Sequence, residues 1–365
     1  MKHIIYIAPF VKERYKGGIM RIAEFLSENT SVKHFQKNSI KLEFFNSHEL
    51  IQRKNSEGKF KIENIKQAFY LLFNLAKRVR KKDFDSIHFN SSTGFPLLKD
   101  QIIIFIISLI TSKRIFFQIH YSGVEETFLK SGFIRKLQLF FLKRNYKVIL
   151  LSEDFKNQLL SIGFPVSKLI VLYNFHNVEN ISTIDFKKSE GVLELLFIGS
   201  ICKRKGFHDL LTALNQINIE YSLNVLGEFS DDDTELLAKS YVATHNLSVN
   251  FLGYLNGSEK DSIINHSDIL ILPSYSEGFP MVIPEAMAFG CAIISTKIAG
   301  IPEIVRHNFN GYLIYPGQIN ELRQLITDIN NNRELLKCFK KNSLKLSKQY
   351  SLENYIDKLS NIYIN

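Results

Sequence analysis

Two carboxylates flank a Gly-Phe-Pro turn in the second half of the chain, and their chemistry suits a polyhydroxylated ligand. Glu277 precedes the turn, and Glu285 lies eight positions later. The apolar run 269–272 predicts a buried strand, and the residues from 283 onward predict a helix. Both acids then lie beside the carboxyl end of a strand, where open parallel sheets bind ligands, and near the backbone N–H groups of a helix start. Each carboxylate can accept hydrogen bonds from neighbouring hydroxyls on one ring.

Each of these acids alone has a simpler explanation. The helix dipole favours an acid such as Glu285 in the first turn of a helix, and Glu277 can be a solvated loop residue. Other candidate ligand residues follow predicted strands elsewhere in the chain. Their combination with the two acids favours the functional interpretation.

A basic loop follows the strand that opens the second half of the chain. The apolar run 195–198 ends at Gly199, and Lys203, Arg204 and Lys205 then lead into a predicted helix. Arg204 can form a fork to phosphate oxygens, while Lys205 provides a point charge. The loop predicts an anion site beside a helix N-terminus. The alternative is a solvated basic turn.

The first half contains two weaker candidates. Gly17 and Gly18 follow the first predicted strand and precede a helix, so that a ligand can approach the backbone closely. Paired glycines also occur in simple turns. His120 directly follows the predicted strand 115–119. A histidine at that edge of a sheet is either structural or functional, and both interpretations stay open.

An acidic run, Asp231-Asp232-Asp233, has two interpretations. Closely spaced carboxylates can hold Mg²⁺ or Mn²⁺ together with a nucleotide diphosphate. The run also precedes a helix-like segment that starts at Thr234, and acids cap such an N-terminus. Because basic residues are available for a diphosphate, we predict the helix cap and no metal site.

Length and composition limit the class of protein. A chain of 365 residues exceeds the size at which a single core keeps growing, so two domains are expected. Cys202, Cys291 and Cys338 lack zinc-site spacing and predict free thiols in a reducing compartment. The apolar run after Met1 is shorter than a signal peptide, and the run 102–110 is too short to span a bilayer. A soluble or peripheral protein is expected.

The charge is unevenly distributed along the chain. Residues 1–175 hold 29 basic and 14 acidic side chains, whereas residues 176–365 hold 17 and 22. The excess of basic side chains suggests that the first half binds an anionic partner, either a nucleic acid or a membrane surface. A general solubility bias is the alternative.

Strand-like and helix-like segments alternate in both halves, which is typical of parallel sheets covered by helices on both faces. We predict an α/β protein with two Rossmann-like domains: residues 1–175, a polar linker 176–190, and residues 191–348. A helix at about 349–365 is expected to pack back on the first domain. The predicted strands are 2–8, 40–45, 86–89, 114–119, 148–151, 169–172, 193–198, 222–226, 249–251, 269–272, 292–295 and 311–314.

Taken together, these motifs resemble the retaining family 4 glycosyltransferases, also described as glycosyl transferases group 1. The resemblance covers nearly the whole chain and is most specific between residues 268 and 305. It rests on the carboxylate pair with its turn, the basic loop, the Gly17-Gly18 loop, the segment 299–305 and the strand-end Asn174. It implies a GT-B fold, in which two Rossmann-like domains face each other across a cleft.

The resemblance also implies roles for individual residues. Glu285 would bind the ribose of a nucleotide, and Glu277 would hold the donor sugar. Arg204 and Lys205 would neutralise the departing diphosphate, and His120 would face the sugar from the first domain. The implied catalytic residues are therefore Arg204, Lys205, His120 and Glu277. The implied donor-binding residues are Gly17, Gly18, Gly278, Phe279, Pro280, Met281 and Glu285.

Two positions depart from the family's pattern. Ser200 stands where many relatives have an arginine, immediately after the glycine that ends the strand. Ala299 replaces a glycine that is common before Gly300. The first departure bears on the diphosphate site, and the second bears on the loop that follows the second carboxylate.

The expected activity is retaining transfer of a sugar from a UDP- or GDP-linked donor to a glycan or a lipid-linked saccharide, in bacterial surface polysaccharide or lipopolysaccharide synthesis. No cofactor, no metal and no nucleic-acid partner are expected. The expected location is cytoplasmic, on the inner face of the plasma membrane if the protein is peripheral. Two alternatives share the architecture: a nucleotide-sugar epimerase, which would need acid–base residues in the first domain, and a non-catalytic binding protein.

The segment 130–144 is apolar and basic at once and lies in the basic half of the chain. Such a helix can lie in the interface of an anionic membrane, and the cluster 77–82 would add charge. The alternative is a helix whose apolar side chains face the core, because Phe133, Leu137, Phe140 and Phe141 have helical spacing.

Overall fold

The chain folds into two compact units. A computed structural model describes residues 1–10, 18–47, 62–121, 123–128, 132–143, 146–178 and 191–365. The first unit comprises residues 1–173 together with 353–365, and the second comprises residues 174–352. Residues 176–178 of the predicted linker therefore belong to the second unit, and residues 179–190 lie outside the described residues.

The first unit is built around a parallel sheet whose six strands lie in the order β2-β1-β3-β4-β5-β6. Its strands are β1 (Lys2–Ala8), β2 (Ile40–Asn46), β3 (Ser86–Ser91), β4 (Arg114–Ile119), β5 (Tyr146–Leu150) and β6 (Leu169–Val171). Its helices are α1 (Gly18–Ser27), α2 (Asn29–Lys37), α3 (Ile62–Val79), α4 (Gly94–Ile110), α5 (Val124–Thr127), α6 (Gly132–Leu142) and α7 (Glu153–Ser161).

The second unit repeats this plan with the strand order β12-β11-β10-β7-β8-β9. Its strands are β7 (Leu193–Ile198), β8 (Tyr221–Leu226), β9 (Val249–Gly253), β10 (Ile269–Leu272), β11 (Ala292–Thr296) and β12 (Gly311–Ile314). Its helices are α8 (Phe207–Leu214), α9 (Asp232–Thr244), α10 (Gly257–Asn265), α11 (Val282–Ala288), α12 (Ile301–Ile304), α13 (Ile319–Asn331) and α14 (Arg333–Ser347). Strands β7 and β10 are neighbours in the middle of this sheet. Strands β8 and β9 extend the sheet on the β7 side, and β11 and β12 extend it on the β10 side.

The strands form where short apolar runs are bounded by polar or glycine residues. All four residues of β10 are buried, as are all five of β11. A strand that is apolar on both faces fits the middle of a parallel sheet, because helices cover both of its sides. The predicted α/β fold class is confirmed, and each strand predicted from the sequence has a counterpart in the two sheets.

Helices α2, α4, α5 and α7 of the first unit were not specified from the sequence. Helix α4 contains the apolar run 102–110, which lacks the periodicity of a half-exposed helix because α4 packs against both α3 and α6. Helix α7 is short and starts at Ser152, whose hydroxyl accepts a hydrogen bond from Phe155 N at 3.1 Å. No helix within the described residues is both long and apolar enough to cross a bilayer.

The last helix, α15 (Leu352–Ile364), belongs to the first unit from residue 353 onward. The Tyr363 side chain is fully buried, and its hydroxyl lies 2.6 Å from His88 Nδ1 on β3. Its carbonyl oxygen accepts hydrogen bonds from Lys2 Nζ at 3.2 Å and from an Arg114 guanidinium nitrogen at 2.7 Å. The carboxyl-terminal helix is thus bonded to three strands of the first sheet.

Removing the Tyr363 hydroxyl tests how firmly α15 is held. We expect Tyr363→Phe to lower the free energy of unfolding of the first unit by about 1–3 kcal/mol, because a buried polar atom of His88 loses its partner. Urea unfolding measures the change. Tyr315→Phe is the control, because Tyr315 is 58% exposed and water can bond to any group that its hydroxyl leaves. Equal stability of the two variants would contradict the expectation.

Candidate functional site

The site residues of the second unit lie at the carboxyl edge of its sheet, where β7 and β10 are neighbours. The chain turns to opposite sides of the sheet from these two strands, and such a switch point leaves a crevice between the loops that follow them. The loop after β7 runs from Gly199 to Gly206, and the loop after β10 runs from Pro273 to Met281. The predicted basic and acidic motifs are these two loops.

Backbone contact joins the two loops at Gly206. This residue has φ +69°, and a Cβ atom there would lie 2.0 Å from the carbonyl oxygen of Pro273. Only glycine accommodates both constraints. Next to this contact, Tyr275 N donates a hydrogen bond to the Arg204 carbonyl oxygen at 2.8 Å. The short 3-10 turn Lys203–Lys205 is thereby held against the acidic loop.

The contact brings Lys205 to Glu277. The Lys205 ammonium forms a short ion pair with Glu277 Oε1, and the Ser274 hydroxyl donates to the same oxygen at 2.9 Å. Glu277 is buried, and a buried carboxylate is strongly unfavourable unless it is paired. The neighbouring Arg204 is exposed, and its guanidinium donates to the Ser276 carbonyl oxygen at 3.0 Å. Two cations and one carboxylate therefore share this site.

The Gly-Phe-Pro turn is anchored from two sides. The Asn174 side-chain amide donates to the Phe279 carbonyl oxygen at 2.8 Å, and Gly300 N donates to the Gly278 carbonyl oxygen at 3.2 Å. The buried Phe279 ring packs against Tyr350 with 5.7 Å between ring centroids. The turn is consequently a fixed element, and it leads through Pro280 and Met281 into α11.

Glu285 lies in the first turn of α11 and is paired with a lysine that the sequence analysis did not identify. Lys260 of α10 places its ammonium 2.5 Å from both carboxylate oxygens of Glu285, and its side chain is only 3% exposed. The pairing joins residues 25 positions apart, so no local sequence signal reveals it. The second carboxylate of the motif, like the first, has a lysine as its counterion.

The two departures from the family pattern lie in the same region. Ala299 adopts φ +47°, the left-handed conformation that glycine adopts without strain. Ser200 is exposed directly after Gly199 and adds no charge to the loop. Arg204 and Lys205 are therefore the cations that the loop holds against the acidic motif.

The acidic run is a helix cap, as predicted. The Asp231 carboxylate accepts a hydrogen bond from Thr234 N at 2.8 Å at the start of α9. Hydrogen bonds from the Ser230 hydroxyl and from Thr234 hold the pKa of Asp231 below its usual range. Across the described ranges, no group of three or more His, Cys, Asp or Glu side chains is clustered as a metal site would require. Cys202, Cys291 and Cys338 are free thiols.

The structure says less about the candidate ligand residues of the first unit. His120 follows β4, and its Nε2 lies 2.7 Å from Asn90 Oδ1. Burial lowers the pKa of His120 to about 3. Gly18 opens α1, and a Cβ atom there would meet nothing within 4 Å, whereas Gly17 lies outside the described residues. The proposed roles of His120, Gly17 and Gly18 stay predictions.

Part of this chain is similar in sequence to known glycosyltransferases. Residues 181–346 match the family described as Glycosyl transferases group 1. The chain is 31% identical over 219 residues to an uncharacterised glycosyltransferase of Methanocaldococcus jannaschii, covering 60% of this chain and 59% of that protein. It is 25% identical over 198 residues to WcaL of Escherichia coli K12, a putative colanic acid biosynthesis glycosyltransferase, covering 51% of this chain and 48% of that protein. The chain thus spans less than two thirds of the length of either relative.

Among solved structures, HepE of Anabaena in complex with UDP-glucose has a similar fold. The TM-score is 0.71 at 18% sequence identity, over 100% of this chain and 99% of that chain. The two parallel six-stranded sheets and this likeness show an α/β protein with the GT-B fold. The match of residues 181–346 to glycosyl transferases group 1 agrees with the group 1 resemblance over that part of the chain.

The Lys260–Glu285 pair generates a stability prediction. We expect Lys260→Met to lower the free energy of unfolding by about 3–5 kcal/mol, because it leaves a carboxylate without its buried counterion. Adding Glu285→Gln should restore part of the loss, with a coupling energy of about 0.5–3 kcal/mol. Urea unfolding of the single and double variants completes the cycle.

The matched control is Lys239→Met, which breaks a pair with Glu235 at the same N···O distance of 2.5 Å but between exposed side chains. Exposed pairs contribute little because water screens them. A loss in Lys260→Met no larger than in this control would show that the buried pair is not structurally important.

Proposed function

We propose that this protein is a retaining glycosyltransferase that moves a sugar from a nucleotide-sugar donor to a saccharide acceptor. The observation that carries the proposal is the contact between two loops at one edge of the sheet. There Lys205 pairs with the buried Glu277, and Arg204 bonds to the neighbouring Ser276 carbonyl oxygen. A binding-only protein has no need of cations poised beside a leaving group. Transfer of a glycosyl group, in contrast, places new negative charge on a diphosphate.

Each side chain takes one part of the donor. Glu285 accepts hydrogen bonds from the ribose hydroxyls, and Glu277 accepts them from hydroxyls of the sugar, with the backbone of the turn 278–281 around it. Arg204 and Lys205 neutralise the diphosphate. The structure of HepE with UDP-glucose supports a UDP-linked donor, and a GDP-linked donor is the alternative.

The reaction proceeds with retention of the anomeric configuration. The leaving phosphate helps to deprotonate the acceptor hydroxyl, which attacks from the face that the phosphate leaves. Because the charge that develops on the diphosphate is opposed by Arg204 and Lys205, the step does not need a divalent cation. The Asp231–Asp233 run keeps its role as a helix cap.

The acceptor belongs to a bacterial surface polysaccharide or lipopolysaccharide. The similarity to a putative colanic acid biosynthesis glycosyltransferase supports this class. The enzyme works in the cytoplasm on a glycan or a lipid-linked saccharide, and for the latter it binds the inner face of the plasma membrane.

The exposed side chains of the first unit support membrane contact. Phe133 on α6 is 77% exposed and Phe140 is also exposed, whereas the buried residues of this helix are Gln138 and Leu142. The core-facing alternative for these two phenylalanines is therefore wrong. Phe69 and Phe73 on α3 are likewise exposed, and α3 and α6 both pack against α4. Exposed phenylalanines in a basic unit suit an anionic bilayer, with aromatic rings in the headgroup region and cations at the lipid phosphates.

The roles of the donor-site residues are tested by two variants, one expected to lower kcat and the other expected to weaken nucleotide binding. We expect Lys205→Ala to lower kcat by about 10²–10³, because it removes a charge that stabilises the leaving group. We expect Glu285→Ala to weaken nucleoside diphosphate affinity at least about tenfold, because a hydrogen bond to a charged group is lost. A mass-spectrometric screen of nucleotide sugars for hydrolysis identifies the donor, and steady-state kinetics and calorimetry follow. An unchanged kcat in Lys205→Ala would overturn the leaving-group role.

Metal independence is tested by chelation. With two side-chain cations at the diphosphate, we expect turnover to continue at the same rate in excess EDTA. The assay uses the donor found in the screen and compares EDTA with added Mg²⁺ or Mn²⁺. Loss of turnover in EDTA that is restored by either ion would show that a metal carries the charge instead.

Membrane contact is tested by vesicle co-sedimentation. We expect binding to vesicles that contain anionic lipid, weaker binding at physiological than at low salt, and a several-fold loss in the double variant Phe69→Ser/Phe73→Ser. Leu236→Ser is the matched control, because Leu236 is a similarly exposed apolar residue of the acidic second unit. Binding that ignores lipid charge would favour a soluble acceptor.

A further inference from the structure

A buried polar network lies on one face of the first sheet, beside His120. Strand register places Tyr6 opposite His88 and Asn90 opposite Gln118, so these four side chains share a face. All four are buried, and α15 reaches the same network through Tyr363. Asn90 is the member of the network that contacts His120.

The Asn90 amide can adopt only one orientation. Its Nδ2 donates a hydrogen bond to the Ile7 carbonyl oxygen at 2.9 Å. A flipped amide would place two acceptor oxygens against each other, so Oδ1 must be the atom that faces Tyr6 and His120. The Tyr6 hydroxyl donates to this oxygen at 3.3 Å, and His120 Nε2 lies 2.7 Å from it.

This orientation fixes the state of the His120 ring. Because Asn90 Oδ1 can only accept hydrogen bonds, Nε2 of His120 must carry a proton. In a neutral imidazole the other nitrogen, Nδ1, then has a free lone pair. No described residue forms a hydrogen bond with His120 Nδ1, so this atom remains an acceptor for a ligand.

The surroundings keep the ring neutral. Burial lowers the pKa of His120 to about 3, and the same cause lowers the pKa of His88 to about 3. The titratable groups around the network are Tyr6 on β1, His88 on β3, Asp100 on α4, which accepts from Ser91 Oγ, and Tyr355 and Tyr363 on α15. Burial raises the pKa of Asp100 and of the three tyrosines. The Asp100 carboxyl group is paired with Lys99 at 2.9 Å, and burial is the cause that lowers the pKa of His120.

We propose that Asn90 is a positioning residue that holds His120 as a neutral imidazole with its proton on Nε2, so that His120 offers a substrate hydroxyl an acceptor at Nδ1 and supplies neither a proton nor a positive charge. The assignment of a sugar or acceptor hydroxyl as the partner rests on the proposed glycosyltransferase function. The state of the ring does not, because it follows from the contacts of the Asn90 amide.

The ring state is measured directly by ¹⁵N NMR of the imidazoles in the ligand-free protein, with His120→Gln to assign the resonances. We expect the Nε2–H tautomer, unchanged between pH 8 and pH 5, because a group whose pKa is lowered to about 3 stays neutral throughout that range. An Nδ1–H tautomer, or protonation of His120 between pH 5 and pH 8, would overturn the proposal. This readout needs no donor or acceptor, so it is independent of the proposed activity.

A variant then separates positioning from simple structural support. In Asn90→Asp, a carboxylate faces Nε2 and favours the imidazolium, and a neighbouring opposite charge raises a histidine pKa by about 1–3 units. The pKa of His120 measured by NMR titration should rise by that amount. The kcat of Asn90→Asp should fall as the pH decreases from 8 to 5.5, and the kcat of the parent should fall less. Tyr6→Phe leaves the Asn90–His120 bond in place and should keep the tautomer. A pH profile of Asn90→Asp that parallels the parent would show that the state of His120 does not matter for turnover.

Discussion

The approach of Gly206 to the carbonyl oxygen of Pro273 is the constraint on which the candidate site depends. At this point the backbones that leave β7 and β10 are too close for any side chain, since a Cβ atom would lie 2.0 Å from the carbonyl oxygen. The contact allows the ammonium of Lys205 to reach Glu277 and the guanidinium of Arg204 to reach the Ser276 carbonyl oxygen. A basic turn and an acidic loop, 72 positions apart, become one site through this contact.

Both carboxylates of the acidic motif are paired with lysines, and the pairing has a consequence for ligand binding. A carboxylate that is shielded from water needs a counterion, and Lys205 and Lys260 meet that need for the buried Glu277 and the partly buried Glu285. The lysines orient both carboxylates before a ligand arrives, and a polar ligand has only to add hydrogen bonds to them. Preorganisation of this kind lowers the free energy lost when a ligand is bound.

The first unit depends on the end of the chain. Tyr363 of α15 bonds to His88, and the same sheet face carries Asn90, which orients His120. The last helix therefore closes a polar network that reaches a candidate site residue, although nearly the whole second unit separates α15 from the first sheet in sequence. The imidazole of His120 has one defined state because the Asn90 amide, which donates to the Ile7 carbonyl oxygen, presents its oxygen to Nε2.

The sequence by itself determined the strands and the local motifs. Short apolar runs set the strands, a Gly-Phe-Pro turn placed Glu277 and Glu285 beside a strand end, and Asp231 was identifiable as a cap from the helix that follows it. Only the tertiary structure decided which distant groups meet. The pairing of Lys260 with Glu285 and the contact of Asn90 with His120 depend on strand order and helix packing, which periodicity does not encode. Local propensity acts over a few residues, whereas an ion pair or a buried hydrogen bond exists only when the fold has brought both partners within about 3 Å.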